Sequence, residues 1–335
     1  MSGLLIVPLV RKIALGLGLV DQPNQRKIHS KPIPRVGGVS LYLATLLGSL
    51  PFLNDDPKIL GVFIAATFIL LVGLLDDILD LPARVKLAGQ VIGCLILLSF
   101  QVRIDFVSDF IAGHGLVALG LLTYPLTMLW VIGLTNTVNL VDGVDGLAGG
   151  IVFIALGTFL AVRVITPYTQ DTVAMENVLA IVAALMGSLL AFLRYNVFPA
   201  SIFMGDSGAY FLGFMTASLA IVGAAKGSIL YPLVIPIIAF GLPVLDVFLT
   251  IIRRYFRKVP IFQADKEHLH HKLLQMGFSQ ADTTRFLWMV STCFGLLAIL
   301  TSDISHRGLQ FAVTMVFIVM LFACLIFFFS RVQSK

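Results

Sequence analysis

Ile59-Leu-Gly-Val-Phe-Ile-Ala-Ala-Thr-Phe-Ile-Leu-Leu-Val-Gly-Leu-Leu75-Asp76-Asp77-Ile-Leu-Asp80 carries no charge until its last five residues, three of which are aspartates. As a helix, the stretch 59–75 rises about 25 Å, close to the roughly 30 Å hydrocarbon thickness of a bilayer. The acids then stand where hydrocarbon gives way to water. This reads as a membrane span that delivers carboxylates to an interface.

The same pattern recurs along the chain. Apolar runs at 37–53, 59–75, 86–101, 119–137, 147–165, 177–195, 208–224, 229–252, 285–302 and 308–329 predict ten spans. Gly3 to Val10 is apolar but meets Arg11 and Lys12, so a short first helix precedes them, crossing only if it continues through Ile13 to Val20. It lacks the small-residue cleavage site of a signal peptide.

Composition agrees. Of 335 residues 58% are hydrophobic and 12% charged, against about 25% charged in globular chains, and the mean hydropathy is +0.99. A soluble globule, a disordered chain, a disulfide-stapled module and a β-barrel of short alternating strands are excluded. Cys94, Cys293 and Cys324 lie in apolar runs and read as small hydrophobes.

The net charge of +5 would suit nucleic acid, but its placement records orientation instead. When the loops are assigned alternately to two sides, 18 of the 23 lysines and arginines fall on one, which is therefore cytoplasmic. The expected fold is an all-α polytopic membrane protein: ten transmembrane helices plus the short first one, in a single domain over 1–335, with the active site on the cytoplasmic face. Its cytoplasmic loops are 21–36, 76–85, 138–146, 196–207 and 253–284. On the other side, Val102 to Phe110 and the turn Gly113-His114-Gly115 predict a small hairpin.

Every unusual polar cluster falls on the cation-rich side. Asp76, Asp77 and Asp80 crowd one helix end, as a solvated capping loop or as a metal or general-base site. Asn136, Asn139, Asp142 and Asp145 recur every three residues, with Gly143 and Gly146 letting backbone approach a ligand; a glycine-rich cap is the plain alternative. Phe203-Met204-Gly205-Asp206-Ser207-Gly208 opens a span, with Asp206 an N-cap or a metal ligand.

Asp265 and His268-Leu269-His270-His271 follow in the largest loop. No cysteine lies near to complete a zinc site, and the carboxylates favour Mg²⁺, with Mn²⁺ the alternative. The loop 21–36 supplies Arg26, Lys27, Lys31 and Arg35 for lipid headgroups or for a substrate phosphate. Asp246, two turns before Arg253, calls for a partner within or between helices.

Acids and cations gathered at one membrane face suit phosphate chemistry. Two unit charges 4 Å apart repel by about 4 kcal/mol at an effective dielectric of 20, so joining two phosphorylated substrates requires a metal and cations. An ion-coupled secondary transporter is the rival reading, but its acids belong near the midplane.

Asp76-Asp77 with Asp80, Asn139-Leu-Val-Asp142-Gly-Val-Asp145-Gly-Leu-Ala, Met204-Gly-Asp206-Ser-Gly, and Asp265 with His268-Leu-His270-His271 resemble the motifs of the polyprenyl-phosphate N-acetylhexosamine-1-phosphate transferases, glycosyltransferase family 4. The opening loop, Asp21-Gln-Pro-Asn24-Gln-Arg26-Lys27-Ile-His29 and Pro32-Ile-Pro34-Arg35-Val-Gly37-Gly38, is similar to that family's as well. The likeness spans residues 4 to about 277.

It implies Mg²⁺-dependent transfer of a sugar-1-phosphate from a UDP-N-acetylhexosamine to undecaprenyl phosphate, releasing UMP, in the bacterial cytoplasmic membrane. The His-Leu-His-His run is similar to that of the N-acetylglucosamine-1-phosphate enzymes that begin O-antigen, common antigen or teichoic acid, more than to the muramoyl-pentapeptide branch.

By the same resemblance Asp206 is the principal metal ligand with Asp77 or Asp76 beside it, and Asp76 assists deprotonation or orientation of the lipid phosphate. Asn139, Asp142, Asp145 and Phe203 face the nucleotide, while Lys27, Arg253, His270 and His271 steady phosphates and sugar and His268 joins Asp76, Asp77 and Asp206 as a catalytic residue, holding phosphate or transferring a proton. Expected partners are the UDP-sugar, undecaprenyl phosphate, membrane lipids and a second copy of the chain, with no nucleic acid. Direct attack by the lipid phosphate is favoured over a phospho-enzyme because one site supplies proximity, though both routes stay open. The short apolar segment before Arg11 departs from the full opening span of family members.

Overall fold

A computed structural model describes residues 2–22, 32–53, 56–108, 116–165, 172–224, 240–257 and 268–302. Helices dominate it, and five are long and apolar enough to cross a membrane: Pro57–Leu79, Gly120–Val141, Leu147–Ile165, Met175–Asn196 and Gln280–Leu300. Together they make a multi-pass membrane protein. The expected span at 308–329 and part of that at 229–252 lie outside the described residues; the other eight are helical.

In chain order the helices are α1 (Ser2–Gly16), α2 (Gly37–Ser49), α3 (Pro57–Leu79), α4 (Ala83–Ser99), α5 (Thr123–Val141), α6 (Leu147–Ile165), α7 (Thr172–Asn196), α8 (Gly205–Ala224), α9 (Gly241–Phe256), α10 (Leu269–Gln275) and α11 (Gln280–Ser302). The first, at about 22 Å, is a short helix with Pro8 inside it.

Helix α3 is set by its ends. The Asp56 side chain accepts the Lys58 N–H at 2.8 Å and Pro57 occupies the first turn. The far end runs past Leu75 to Leu79, so Asp76 and Asp77 belong to the last turn. Asp80 then takes a left-handed conformation (φ +48°), its N–H closing onto Asp76 O, and Pro82 bars continuation. Asp80 is exposed, and only two of the three acids expected to crowd the helix end stay together.

Helix α8 is the pillar of the fold. Every residue from Ser207 to Gly223 is buried, with α2, α3, α5, α6 and α7 packed around it. Glycines allow the tightest crossings: a Cβ on Gly73 of α3 would lie 2.5 Å from Ser207 Cα, and one on Gly213 would lie 2.6 Å from Thr135 Cα on α5. Gly38 of α2 and Gly208 meet backbone to backbone.

Two short ladders complete the described structure. Strands β3 (Phe106–Ser108) and β4 (Leu116–Ala118) pair antiparallel, Phe106 with Ala118, as the sequence predicts for this hairpin; its turn lies outside the described residues. Strands β1 (Val20–Asp21) and β2 (Ile33–Pro34) close the base of the opening loop, Val20 facing Pro34.

Candidate active site

A cavity of about 760 Å³ opens at the end of the bundle where α8 begins, within the 300–1,000 Å³ range of ligand pockets. Its lining includes Arg11, Asp21, Arg35, Asn139, Asp142, Asp145, Asn196, Phe203, Asp206, His271 and Gln280. Five segments far apart in sequence therefore meet around one space.

The loop before α8 is fixed by backbone bonds to the opening loop. Phe203 N–H donates to Pro34 O at 2.7 Å, and Gly37 and Gly38 N–H donate to Phe203 O and Met204 O at 3.0 Å each. Gly205 turns at φ +71°, and any Cβ there would strike Arg35 O and the Asp77 carboxylate. That turn aims Asp206 into the cavity. The first free N–H groups of α8, those of Asp206 and Ser207, donate to Asp77 Oδ1 at 2.8 Å and Oδ2 at 3.1 Å. Asp77 thus caps α8 from another helix, and its carboxylate meets the positive end of the helix dipole.

Asp76 and Asp206 converge on a single cation. Lys86 Nζ of α4 lies 2.5 Å from Asp76 Oδ2 and 3.4 Å from Asp206 Oδ2. The other oxygens are held: Leu81 N–H donates to Asp76 Oδ1 at 2.9 Å, and Asn139 Nδ2 donates to Asp206 Oδ1 at 2.7 Å. The Asp76 and Asp77 side chains are 1% exposed, whereas that of Asp206 is 25% exposed and faces the cavity. Arg35 lies between Asp21, at 3.7 Å, and Asp77, at 4.0 Å.

This donor set fits a hard divalent cation. Oxygens from two carboxylates already point at one positive group, and Mg²⁺ characteristically takes one or two carboxylates, completing its shell with waters and substrate phosphates. No cluster of three histidine, cysteine or acidic side chains forms a ready cage among the described residues, as that mode of binding requires none.

Asp142 and Asp145 follow α5. Asp142 lines the cavity but is surrounded by protein on its other sides; desolvation, reinforced by Asp206, Asp77 and Asp145, raises its pKa well above the usual carboxylate value. Asp145 Oδ2 accepts the Ala200 N–H at 2.9 Å, and Asn196 accepts from Gly146 N–H while donating to Ile202 O. These bonds join the 142–146 turn to the 197–204 loop. Asn136, part of the same sequence cluster, instead pairs with Gln90 of α4 through both side-chain amides.

The histidines divide. His271 lines the cavity. His270 is buried, with its Nε2 2.6 Å from where a Cβ on Gly143 would stand, and desolvation followed by the charge of His271 lowers its pKa to about 4. His268 bonds through Nδ1 to Asp246 Oδ2 at 2.9 Å. Arg253, on the last turn of α9, donates to Thr250 Oγ1 at 3.4 Å and is not among the cavity-lining residues. Lys27 and Asp265 lie outside the described residues.

Lys86, Arg11 and Asn196 escaped the motif reading. Lys86 is a lone lysine at the start of an apolar run, ten residues beyond Asp76, and that spacing alone did not mark it. Arg11 donates from Nε to Ser201 O at 3.0 Å and faces the cavity, although its interruption of an apolar segment marked only a span boundary. Nothing local distinguishes Asn196.

Comparisons with known proteins identify the family. Residues 59–224 match the family described as glycosyl transferase family 4. A Bacillus subtilis protein, a probable undecaprenyl-phosphate N-acetylglucosaminyl 1-phosphate transferase, is 37% identical over 88% of this chain and 81% of its own length. A Mycobacterium tuberculosis decaprenyl-phosphate N-acetylglucosaminephosphotransferase is 32% identical over 85% and 77%. A Thermoanaerobacter phospho-N-acetylmuramoyl-pentapeptide-transferase is 29% identical over 87% and 90%. The family match ends with the pillar helix and includes Asp76, Asp77, Lys86, Asn139 and Asp206, and with relatives alike over most of its length this chain belongs to glycosyl transferase family 4.

Proposed function

We propose that the protein transfers N-acetylglucosamine-1-phosphate from UDP-N-acetylglucosamine to undecaprenyl phosphate, giving the lipid diphosphate sugar and UMP. The observation that carries this reading is the meeting of Asp76 and Asp206 on Lys86 at the wall of a cavity large enough for a nucleotide sugar. Similarity to the Bacillus protein supports N-acetylglucosamine as the sugar, and in this reading the reaction is a first membrane step of a cell-envelope polysaccharide. In this reading ten spans cross the bacterial cytoplasmic membrane, with the site and the C-terminus on the cytoplasmic side, because 18 of the 23 lysines and arginines lie there.

The chain's own residues account for the chemistry. An oxygen of the lipid phosphate attacks the sugar-side phosphorus of the UDP-sugar; the bond from that phosphorus to the bridging oxygen breaks, and UMP leaves with the electron pair. Asp76 and Asp206, with Asp77 adjoining, would hold a Mg²⁺ ion, which when bound supplies charge neutralisation for the phosphates. Lys86 adds a fixed positive charge between the carboxylates, and Asn139 keeps Asp206 turned toward the cavity. Asp142, His271 and Arg11 line the space for nucleotide, sugar and phosphates.

Purified protein should release UMP from UDP-N-acetylglucosamine only when undecaprenyl phosphate and Mg²⁺ are both present. Asp206→Asn should lower that rate by at least 100-fold. Undiminished release by the variant, or none by the parent with UDP-N-acetylglucosamine, UDP-N-acetylgalactosamine or UDP-N-acetylmuramoyl-pentapeptide, would overturn the proposal.

A further inference from the structure

Helix α1 has three faces. Val7, Val10 and Ala14 are buried against the bundle. Leu5, Leu9 and Ile13, each four residues from the next and so nearly aligned along the helix, are exposed and turn outward, where the membrane reading places hydrocarbon. Arg11 and Leu15, one turn apart, line the same cavity as Asp206. Arg11 therefore stands at the seam between lipid and the candidate active site.

Its guanidinium is oriented but not neutralised. Nε donates to Ser201 O at 3.0 Å, and Ser201 is itself held, its N–H and Oγ donating to Tyr195 O at 2.8 and 3.0 Å. An arginine carries five N–H donors, so the four on the two Nη atoms remain, in the planar fork that meets two phosphate oxygens at once. Among the described residues no carboxylate lies within ion-pair distance of Arg11. The cavity's acids turn elsewhere: Asp21 faces Arg35 at 3.7 Å, Asp145 accepts from Ala200 N–H, and Asp206 accepts from Asn139. Uridine and an N-acetylhexosamine are uncharged at neutral pH, so the anion left to pair with this cation is a phosphate.

We propose that Arg11 binds a substrate phosphate through its Nη groups. The inference rests on the transferase reading given above. The phosphate belongs to the lipid acceptor or to the UDP-sugar. A place at the seam favours the acceptor, whose tail stays beside the outward leucines while its phosphate reaches the cavity.

The test uses the full-length protein in detergent with UDP-N-acetylglucosamine, undecaprenyl phosphate and Mg²⁺. Arg11→Gln keeps an N–H donor for Ser201 O but loses the charge, and should raise KM for undecaprenyl phosphate about tenfold while KM for the UDP-sugar moves less than about threefold. The reverse split supports the phosphate contact and assigns it to the UDP-sugar. Arg11→Lys retains the charge and should stay within about threefold of the parent in both values. Parent-like KM values in Arg11→Gln overturn the proposal. So does equal impairment of the two variants, since that result makes the side chain a structural tie to Ser201.

A second measurement needs no turnover. In native mass spectrometry the parent should retain undecaprenyl phosphate in preference to undecaprenol, which has the same tail and no phosphate, and Arg11→Gln should lose that preference. UMP binding, measured by calorimetry on the same two proteins, should weaken in the variant if the nucleotide supplies the phosphate. A variant that binds both ligands as the parent does overturns the proposal. A parent that releases no UMP from any UDP-sugar defeats the transferase reading, whereas these binding differences still report on Arg11.

Discussion

Asp77 caps the helix that carries Asp206: its two oxygens accept the N–H groups of Asp206 and Ser207 at 2.8 and 3.1 Å. An acid of the α3 end and the acid of the Met-Gly-Asp-Ser-Gly motif are thus joined through backbone. Replacing a capping acceptor by alanine typically costs about 0.5–2 kcal/mol. Asp77→Ala should lose activity and also melt several degrees lower, with Asp77→Asn between it and the parent because one acceptor survives. Differential scanning fluorimetry in detergent checks this, and a melting temperature equal to the parent's would empty the cap of energetic meaning.

Lys86 competes for the oxygens that a divalent ion needs. Lys86→Met leaves Asp76 and Asp206 facing one another without compensation, which strengthens attraction for Mg²⁺ and removes a charge that favours phosphate. The half-saturating Mg²⁺ concentration for UMP release should fall at least threefold and the maximal rate at least tenfold. A Mg²⁺ titration with the same half-saturation as the parent would refute a metal position between those carboxylates.

Gly205 allows no side chain. Its φ of +71° costs a non-glycine residue about 1–2 kcal/mol, and a Cβ would also collide with Arg35 O and stand 2.5 Å from Asp77 Oδ2. Gly205→Ala should reduce folded yield on size-exclusion chromatography, and the folded fraction should release UMP at least 100-fold more slowly than the parent. Normal yield and rate together would show that the turn relaxes freely.

His270 makes stability depend on acid. Its pKa falls from 6.5 to about 4 on folding, first through desolvation and then through His271. Above pH 6.5 the ring is neutral in both states and its contribution is complete. As pH drops toward 4 the unfolded chain takes up a proton that the folded one refuses, so stability falls, by about 2 kcal/mol at pH 5. Apparent melting temperatures at pH 7.5 and 5.0 should differ more for the parent than for His270→Asn. Equal pH dependence in the two proteins would dismiss this residue as the source.

Much of the architecture was legible along the chain because apolar run length and glycine-rich polar boundaries are local properties. The run 59–75 and the switch to acid at Asp76 place a helix and its end with no knowledge of neighbours, and the 106–118 hairpin follows from local pattern in the same way. The motif residues from separate loops do meet in space. Asp76, Asp77, Asn139 and Asp206 come together, Phe203, Asp142, Asp145 and His271 surround the same cavity, and Asp246 has the interhelical partner that its depth required.

Division of labour inside the cluster was not legible. Asp76 and Asp77 are adjacent and chemically identical, yet a 100° step around α3 turns one toward Lys86 and the other toward the backbone of α8. The sequence by itself determined which segments form long apolar helices and which residue types wait at their ends, since run length and composition act on each helix separately. Only the tertiary structure decided which acid caps, which one shares a cation and which histidine reaches the cavity, because those roles depend on helices more than 100 residues apart being held at backbone contact by Gly73, Gly205 and Gly208.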